Sequence, residues 1–467
     1  MFHHYNKMIR NMKKYLNIAA LALVVLSTLT LSSCKNEIDE IFDDDAVARL
    51  AKSQAEYVDI LTSNGGKWQL EYYANSDEPG YVYLLTFSTD GSVVVSGMNK
   101  WITLVDNPGA MGSSPTYGTQ TSLWDVITDN GPVLTFNSYN KYFHLFADPY
   151  DIPGNSTGQV DSEDENESGY GHMGDYEFCL MKYSGDTLYL SGKKRGINMI
   201  MTRVSSSVDD RVYMNEVTAM TDSFFHAKIP YVYINLPNDV RWIVKNGATS
   251  ILKIYREDAD EISTAENYNI IITHDGLSFM NPITLDGYTI QNFVRQPDGS
   301  LLCRDDNQTT MTADPLSEIM ASERFVWKLA QTNLGGVYSQ LLSQIVEEIK
   351  NYNSSTLQDV QLSYNQTMDR FALTFNVKRR TVTYKPTYYL TPTVVDDTHI
   401  KFSMDPTGDS WAQSFDVQCP SIKGFASAMA SMTFELDANS LLAPVVMKLT
   451  DGGNSANYMV WNISEML

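Results

Sequence analysis

The chain has 467 residues, of which 43% are hydrophobic and 19% charged, and its formal net charge is −22. That acidity excludes nucleic-acid binding, which needs a basic footprint, and it disfavours adsorption to anionic lipid. The length suits two or three domains and the composition is ordinary for globular protein.

The first element is a leader. Lys13 and Lys14 precede an apolar stretch from Leu16 to Leu31, which runs into Leu31-Ser32-Ser33-Cys34. The stretch is roughly 15 residues, short of the ~20 that a membrane-spanning helix needs. A basic flank, an apolar core and small residues before a cysteine form the lipobox of a bacterial lipoprotein signal peptide. The reading places cleavage before Cys34 and lipid attachment on it. Acyl chains contribute roughly 0.8 kcal/mol per buried CH₂, so several of them hold a domain firmly to a membrane. Glu37, Asp39, Glu40, Asp43, Asp44 and Asp45 follow, with only Lys35 against them. Such a run is an extended, solvated tether. It resembles the acidic export signal of surface lipoproteins in Bacteroidetes, which implies an outer-membrane protein facing the cell exterior.

Residues 46–62 read as a helix, with Val47, Leu50, Tyr57, Val58 and Leu61 on one face and Asn64-Gly65-Gly66 as the stop. The period then changes to two. Trp68 to Tyr72 alternates as a strand. Tyr81 to Ser88 turns at Asp90-Gly91 and returns as Val93 to Val95. Residues 106–118 read as a loop, Val133 to Phe136 and Tyr142 to Phe146 as strands, and 148–175 as a long acidic loop. Strands return at Tyr176–Lys182, Thr187–Ser191 and Ile197–Val204. A second helix is expected over about 209–225, with Val212, Val217, Met220 and Phe224 inward. Strands follow at Tyr231–Leu236, Ser250–Tyr255, Tyr268–Thr273, Leu277–Met280 and Tyr288–Val294, with turns at Asp275-Gly276, Asp286-Gly287 and Asp298-Gly299. A third helix covers about 336–352, with Leu341, Leu342, Ile345 and Ile349 inward. The remainder reads as strands, from Val360–Tyr364 to Tyr458–Trp461.

The expected fold is therefore mainly β with a few helices, a β-rich α+β protein of tandem meander-, barrel- or sandwich-like modules. The expected division is 1–33 signal peptide, 34–45 acidic tether, 46–205 helix plus β-meander domain, 206–330 α+β domain and 331–467 C-terminal β-rich domain. Beyond Cys34, the cysteines are Cys179, Cys303 and Cys419. An odd number at wide spacing is neither a disulfide framework nor a zinc site, and they read as core or strand cysteines.

Four stretches carry a resemblance to a Bacteroidetes lipoprotein family, domain of unknown function 4302. They are Ala48-Arg49-Leu50 through Gly66-Lys67-Trp68-Gln69-Leu70-Glu71-Tyr72-Tyr73, then Asn130-Gly131-Pro132-Val133-Leu134-Thr135-Phe136 with Tyr139-Asn140. Gly174-Asp175-Tyr176-Glu177-Phe178 runs on to Leu190-Ser191-Gly192-Lys193, and Gly276-Leu277-Ser278-Phe279 is followed by Pro282-Ile283. The resemblance implies an exported lipoprotein that accompanies an outer-membrane nutrient-import system, with no catalytic or binding residues to transfer.

Several motifs lack their context. Gly169-Tyr170-Gly171-His172-Met173-Gly174 matches the dinucleotide fingerprint by letter, but a loop precedes it and a strand follows, where the chemistry needs strand, turn and helix. Gly154-Asn155-Ser156-Thr157-Gly158 has nucleophile-elbow spacing inside a loop behind Pro153. The acidic run at 161–167 puts Asn166 and His172 where an EF-hand needs Gly and Glu, so only a looser calcium site at Asp161, Glu163 and Glu165 stays open. Aromatic rings could stack on sugars, and Trp101 and Trp124 are the ligand-binding candidates, with Tyr117, Tyr139 and Tyr150 beside them. Asp186-Thr187-Leu188 resembles a Bacteroidetes O-glycosylation triplet at a strand start. No cofactor is expected. The favoured function is a non-enzymatic binding or accessory subunit that captures a glycan or peptide for an import complex. The alternatives are a secreted hydrolase with dispersed acids and a structural interaction subunit.

Overall fold

The structure is a computed structural model that describes residues 45–107, 109–110, 114–147, 172–224, 232–246, 251–352 and 354–466. Cys34, the leader, the acidic tether, Tyr150 and the acidic trio Asp161, Glu163 and Glu165 lie outside the described residues. The protein is mainly β, as its patterning predicts, and its strands form three successive antiparallel sheets, the middle one a closed barrel.

Helix α1 (Ala46–Thr62) opens the first module. Asp45 caps it by accepting from the Ala48 N–H. Asn64, Gly65 and Gly66 then all take positive φ, which ends the helix and reverses the chain. A Cβ at Gly66 would stand 2.1 Å from the Phe87 carbonyl oxygen, so only glycine fits there. The sheet comprises β1 (Lys67–Tyr72), β2 (Tyr81–Phe87), β3 (Ser92–Gly97), β4 (Gly118–Leu123), β5 (Asp125–Thr128), β6 (Pro132–Thr135), β7 (Glu177–Ser184), β8 (Thr187–Gly192) and β9 (Asn198–Arg203). Its order is β4-β3-β2-β1-β9-β8-β7-β6-β5, so β1 sits in the middle. Two short helices, α2 (Lys100–Asp106) and α3 (Lys141–Ala147), pack on it.

Helix α3 corrects the strand expected at Tyr142–Phe146. Tyr142, Phe143, Leu145 and Phe146 are all buried. A short apolar aromatic run has no period to separate strand from helix. The deciding residue is Asn140, whose side-chain oxygen accepts from the Tyr142 N–H while its amide donates to Ser122.

Helix α4 (Asp210–Phe224) leads into the barrel of β10 (Val232–Asn235), β11 (Arg241–Asn246), β12 (Ile251–Arg256), β13 (Glu266–Ile272), β14 (Gly276–Leu285), β15 (Tyr288–Arg295), β16 (Leu301–Cys303) and β17 (Thr310–Thr312), with a turn of helix, α5 (Glu261–Thr264), before β13. β17 pairs back onto β10 and closes the ring. The barrel core is built from alternate inward residues such as Ile254, Ile270, Phe279, Ile290, Phe293 and Met311.

The last module holds α6 (Leu316–Met320), β18 (Phe325–Gly335), α7 (Gly336–Asn351), β19 (Thr356–Asn365), β20 (Arg370–Arg379), β21 (Val382–Tyr384), β22 (Thr387–Asp396), β23 (His399–Met404), α8 (Ser410–Phe415), α9 (Pro420–Ala430), β24 (Thr433–Ala438), β25 (Val446–Asp451) and β26 (Tyr458–Met466). An added β19–β20 ladder brings this nine-stranded sheet round on itself. Tyr338, Ile345 and Ile349 of α7 and Ile422, Phe425 and Met429 of α9 join Trp327, Phe375 and Trp461 in one apolar core.

The modules are in contact. Met220 and Phe224 of α4 enter the barrel core, while Tyr213 and Met214 of the same helix pack on Tyr73, Val82 and Leu84 of the first sheet. The Gly80 N–H donates to the Ile270 carbonyl at 2.8 Å. From the third module, Leu442 reaches the barrel core, and the Ala313 N–H donates to the Leu441 carbonyl.

Candidate functional site

The site follows from β1. Its sequence Lys-Trp-Gln-Leu-Glu-Tyr alternates, yet all six residues are buried. Trp68, Leu70 and Tyr72 enter the core of the first module. Strand geometry sends Lys67, Gln69, Glu71 and the following Tyr73 to the other face. That face is polar, and α4 and the barrel cover it.

The polar groups are held in sequence. Lys67 Nζ donates to the Val208 carbonyl at 2.6 Å and to Asp210 Oδ1 at 2.8 Å, and Ser96 donates to Asp210 Oδ2. The Tyr213 hydroxyl donates to Gln69 Oε1 at 2.6 Å. That contact turns the Gln69 amide nitrogen toward Glu71 Oε1, at 3.3 Å. From the barrel, Asp275 accepts from Thr273 at 2.9 Å and from Arg304 Nη2 at 2.6 Å. His274 lies 3.6 Å from the same carboxylate, with its ring 4.3 Å from that of Tyr213. Asp305 accepts from the backbone N–H groups of Gln291 and Asn292 and from the Asn292 side chain, which fixes that amide beside the cleft.

These walls enclose two adjoining cavities of about 430 and 540 Å³. Glu71, Thr187, Ile200, Ser278 and Asn292 line both, so they form one cleft between the first sheet and the barrel. Gln69, Tyr213, His274, Asp275 and Arg304 make one end polar. Tyr73, Met181, Tyr189, Met280 and Pro282 bring apolar and aromatic groups to the other end, beside Asn198, Asn281 and Gln291. Such a cleft can hold a molecule with a polar group at one end and a ring or chain face at the other.

The two acids of the cleft differ electrostatically. Burial, and then the charge of Asp275, pushes the Glu71 carboxyl up to about 7, against the attraction of Arg304. Burial also opposes the charge on Asp275, but His274, Thr273 and Arg304 outweigh it and hold that carboxyl below its ordinary value. Tyr213 is pushed up by burial and by both carboxylates, so its hydroxyl stays a donor.

The residues singled out from sequence lie elsewhere. Trp101 donates to the Tyr81 hydroxyl at 2.8 Å and sits against the His172 ring. Trp124 is buried, donates to the Ser88 carbonyl and packs edge-on against Phe87. Both pack with the first module's core, and neither lines the cleft. Tyr117 donates to Ser96, while Tyr139 is exposed. In the glycine motif, residues 169–171 are outside the described residues, His172 is buried between Trp101 and Phe146, and a strand, β7, follows. Thr187 of the Asp-Thr-Leu triplet lines the cleft at the start of β8. Cys179, Cys303 and Cys419 are free thiols, and burial pushes Cys303 and Cys419 up to about 11, so they remain unreactive. Among the described residues, no three His, Cys, Asp or Glu side chains gather as a metal cage, and no helix is long and apolar enough to cross a membrane.

Glu71 and Asp275 were not singled out from the sequence. The one usable signal was that β1 alternates large apolar with large polar residues in a segment that a second module covers. Asp275 reads in sequence only as half of a turn.

No curated protein matches the chain. Among solved structures, it aligns with the DNA polymerase β subunit of Streptococcus pyogenes at 11% identity, covering 89% of this chain and 99% of that one, with a TM-score of 0.13. The β subunit of DNA polymerase III from Thermotoga maritima aligns at 10%, covering 89% and 98%, with a TM-score of 0.13. Isotype 1 transferrin binding protein B from serogroup B Neisseria meningitidis aligns at 7%, covering 86% and 76%, again with a TM-score of 0.13. Scores at this level do not establish a shared fold. The family model described as domain of unknown function (DUF4302) matches residues 38–297, which takes in the first sheet, α4 and most of the barrel, including both carboxylates of the cleft. The chain belongs to that family.

Proposed function

We propose that this protein is a lipid-anchored outer-membrane lipoprotein that acts as a non-enzymatic binding subunit of a nutrient-uptake system, and that the cleft between the first sheet and the barrel holds its ligand. The observation that carries the reading is the bipartite lining. Amide, hydroxyl and charged groups converge at one end, and Tyr73 and Tyr189 stand at the other. Hydrogen-bonding groups fixed by their own partners, beside rigid ring faces, suit a glycan or a peptide. The lipobox at Cys34 and the acidic tether support the location: a tethered binder near a transporter works at high effective concentration.

A hydrolase has one feature in its favour, a carboxyl titrating near neutrality beside an ionised one. Asp275 weakens that reading, because both its oxygens already accept hydrogen bonds, from Thr273 and Arg304. A carboxylate held in this way is a fixed anion rather than a free base or nucleophile.

The test is calorimetric titration of the full chain, purified in mild detergent, against glycan and peptide oligomers. Thr187→Trp, which fills the cleft from β8, should weaken binding at least tenfold. Ligands that bind equally well to this variant place the binding surface elsewhere. Release of shortened product from any of these oligomers would favour the hydrolase.

A further inference from the structure

Glu71 is a buried carboxyl without a counter-charge. Among the described residues, its only hydrogen-bond donor is Gln69, at 3.3 Å and to one oxygen. The cation that acts on it, Arg304, is hydrogen-bonded to Asp275 instead. From the other elements around it, α4 presents the Tyr213 hydroxyl, turned to Gln69, and the barrel presents His274 and the Asp275 carboxylate, whose charge is unfavourable to a second anion. On β9, Arg203 is tied to the Ser63 and Ile60 carbonyls and lies over Trp68. None of these neutralises Glu71, yet it lines both halves of the cleft. A buried acid with no cation bound to it costs stability when it ionises. A cation arriving in the cleft would remove that cost, and the cleft is also lined by Tyr189, whose ring already has the Lys182 ammonium 5.9 Å from its centroid.

Resting on the binding reading above, we propose that the cleft selects ligands carrying a primary ammonium group and that Glu71 is the residue that receives it. Gln69, held by Tyr213, is a positioning residue that aims the carboxyl. Binding near neutrality is then coupled to a proton. The neutral Glu71 carboxyl meets R–NH₃⁺, gives its proton to buffer, and leaves a carboxylate–ammonium pair. Two sources share this chemistry, an amino sugar and the amino terminus of a peptide.

The probes are a glucosamine trimer and its N-acetylated form, and a tripeptide and its N-acetylated form. Each is titrated into the full chain at pH 6.5 in two buffers of different ionisation enthalpy. The proposal expects an amine form to bind at least tenfold more tightly than its acetylated partner, with release of a fraction of a proton per ligand. The sugar or the peptide arm then identifies the source. Glu71→Gln, which keeps the shape, should abolish both the preference and the proton release. The proton count of the unaltered chain tests the idea without any variant. Equal binding of amine and acetylated forms, still blocked by Thr187→Trp, overturns this inference and leaves the binding function standing. Binding untouched by Thr187→Trp overturns the binding site itself. Failure of both amines to bind also overturns the ammonium proposal.

Discussion

The two faces of β1 are both buried but opposite in chemistry. Trp68, Leu70 and Tyr72 meet rings and aliphatic chains, with Tyr72 touching Phe143, Phe146 and Phe178. Gln69 and Glu71, one residue away, meet an amide, a phenol and a cleft. One face is closed by its own module and needs no specificity beyond fit. The other is closed by α4 and the barrel, and Lys67 and Gln69 there depend on partners from a distant stretch of chain. The first face stabilises the fold, while the second face forms the site.

The largest separation between the faces should come from Trp68→Ala. The indole is fully buried, donates to the Leu61 carbonyl at 2.9 Å and carries the Arg203 guanidinium over its ring. Its loss leaves a large cavity at the α1–β1 junction and should cost about 4 kcal/mol in urea unfolding. A loss below about 1 kcal/mol would mean that the inner face is not the main support.

Glu71→Gln tests the outer face with the opposite sign. The carboxyl titrates at about 7 in the fold, against an ordinary 4.5. Below pH 4.5 it is neutral in both the folded and unfolded chain, so the stability associated with neutrality is fully present. As the pH rises through 7 the folded form must ionise in a buried place, and that stability is lost. The difference amounts to roughly 3 kcal/mol. The glutamine variant lacks this loss, so it should gain on the parent between pH 4.5 and 7 and run parallel to it above. Unfolding curves that stay parallel from pH 4 to pH 8 would show that Glu71 is not held neutral.

Much of this first module was legible in the sequence. Period-two patterning located β1, β2 and β3, and Asn64-Gly65-Gly66 marked the reversal after α1 by requiring positive φ. Strands β4, β5, β11, β16, β17 and β18 and the helices α2, α5, α6, α8 and α9 went unseen. Each is short or weakly periodic and depends on neighbours, as α9 does on the Tyr338 and Phe375 rings against Phe425. The cleft was not legible for a related reason. Glu71 and Asp275 are 204 positions apart, and nothing local brings together two acids among 56. The aromatic candidates failed on the same ground: whether Trp124 faces solvent or Phe87 depends on pairing that residue type does not specify.

Asp210→Asn addresses the tie that holds α4 on the outer face. The carboxylate accepts from Lys67 Nζ and from Ser96, and its side chain is 19% exposed. Asparagine keeps the shape but leaves the Lys67 ammonium, itself 10% exposed, without its counter-charge. A loss of about 2 kcal/mol is expected, smaller than for a fully buried pair because water reaches part of the site. Lys67→Met in the same background should recover part of it by removing the stranded charge. An additive loss in the double variant would show that the two residues do not interact.

The smallest effect is the most direct check on how α4 lies across the two modules. Helical spacing puts Val212 on the apolar stripe with Val217, Met220 and Phe224, but Val212 is 55% exposed, while Tyr213 and Met214 are buried. The helix serves two surfaces in succession. Its first turns face Tyr73, Val82 and Leu84 of the first sheet, and its last turns face the barrel core through Met220 and Phe224. A single stripe at 3.6-residue spacing describes a helix lying on one surface, so drawn through Met220 and Phe224 it misplaces Val212 in the first turn. Val212→Ser should therefore change stability by less than about 0.5 kcal/mol, and Met214→Ala by about 3 kcal/mol. If the two costs came out reversed, α4 would sit on the first sheet by its other edge, Tyr213 would no longer reach Gln69, and the alignment of Glu71 in the cleft would go with it.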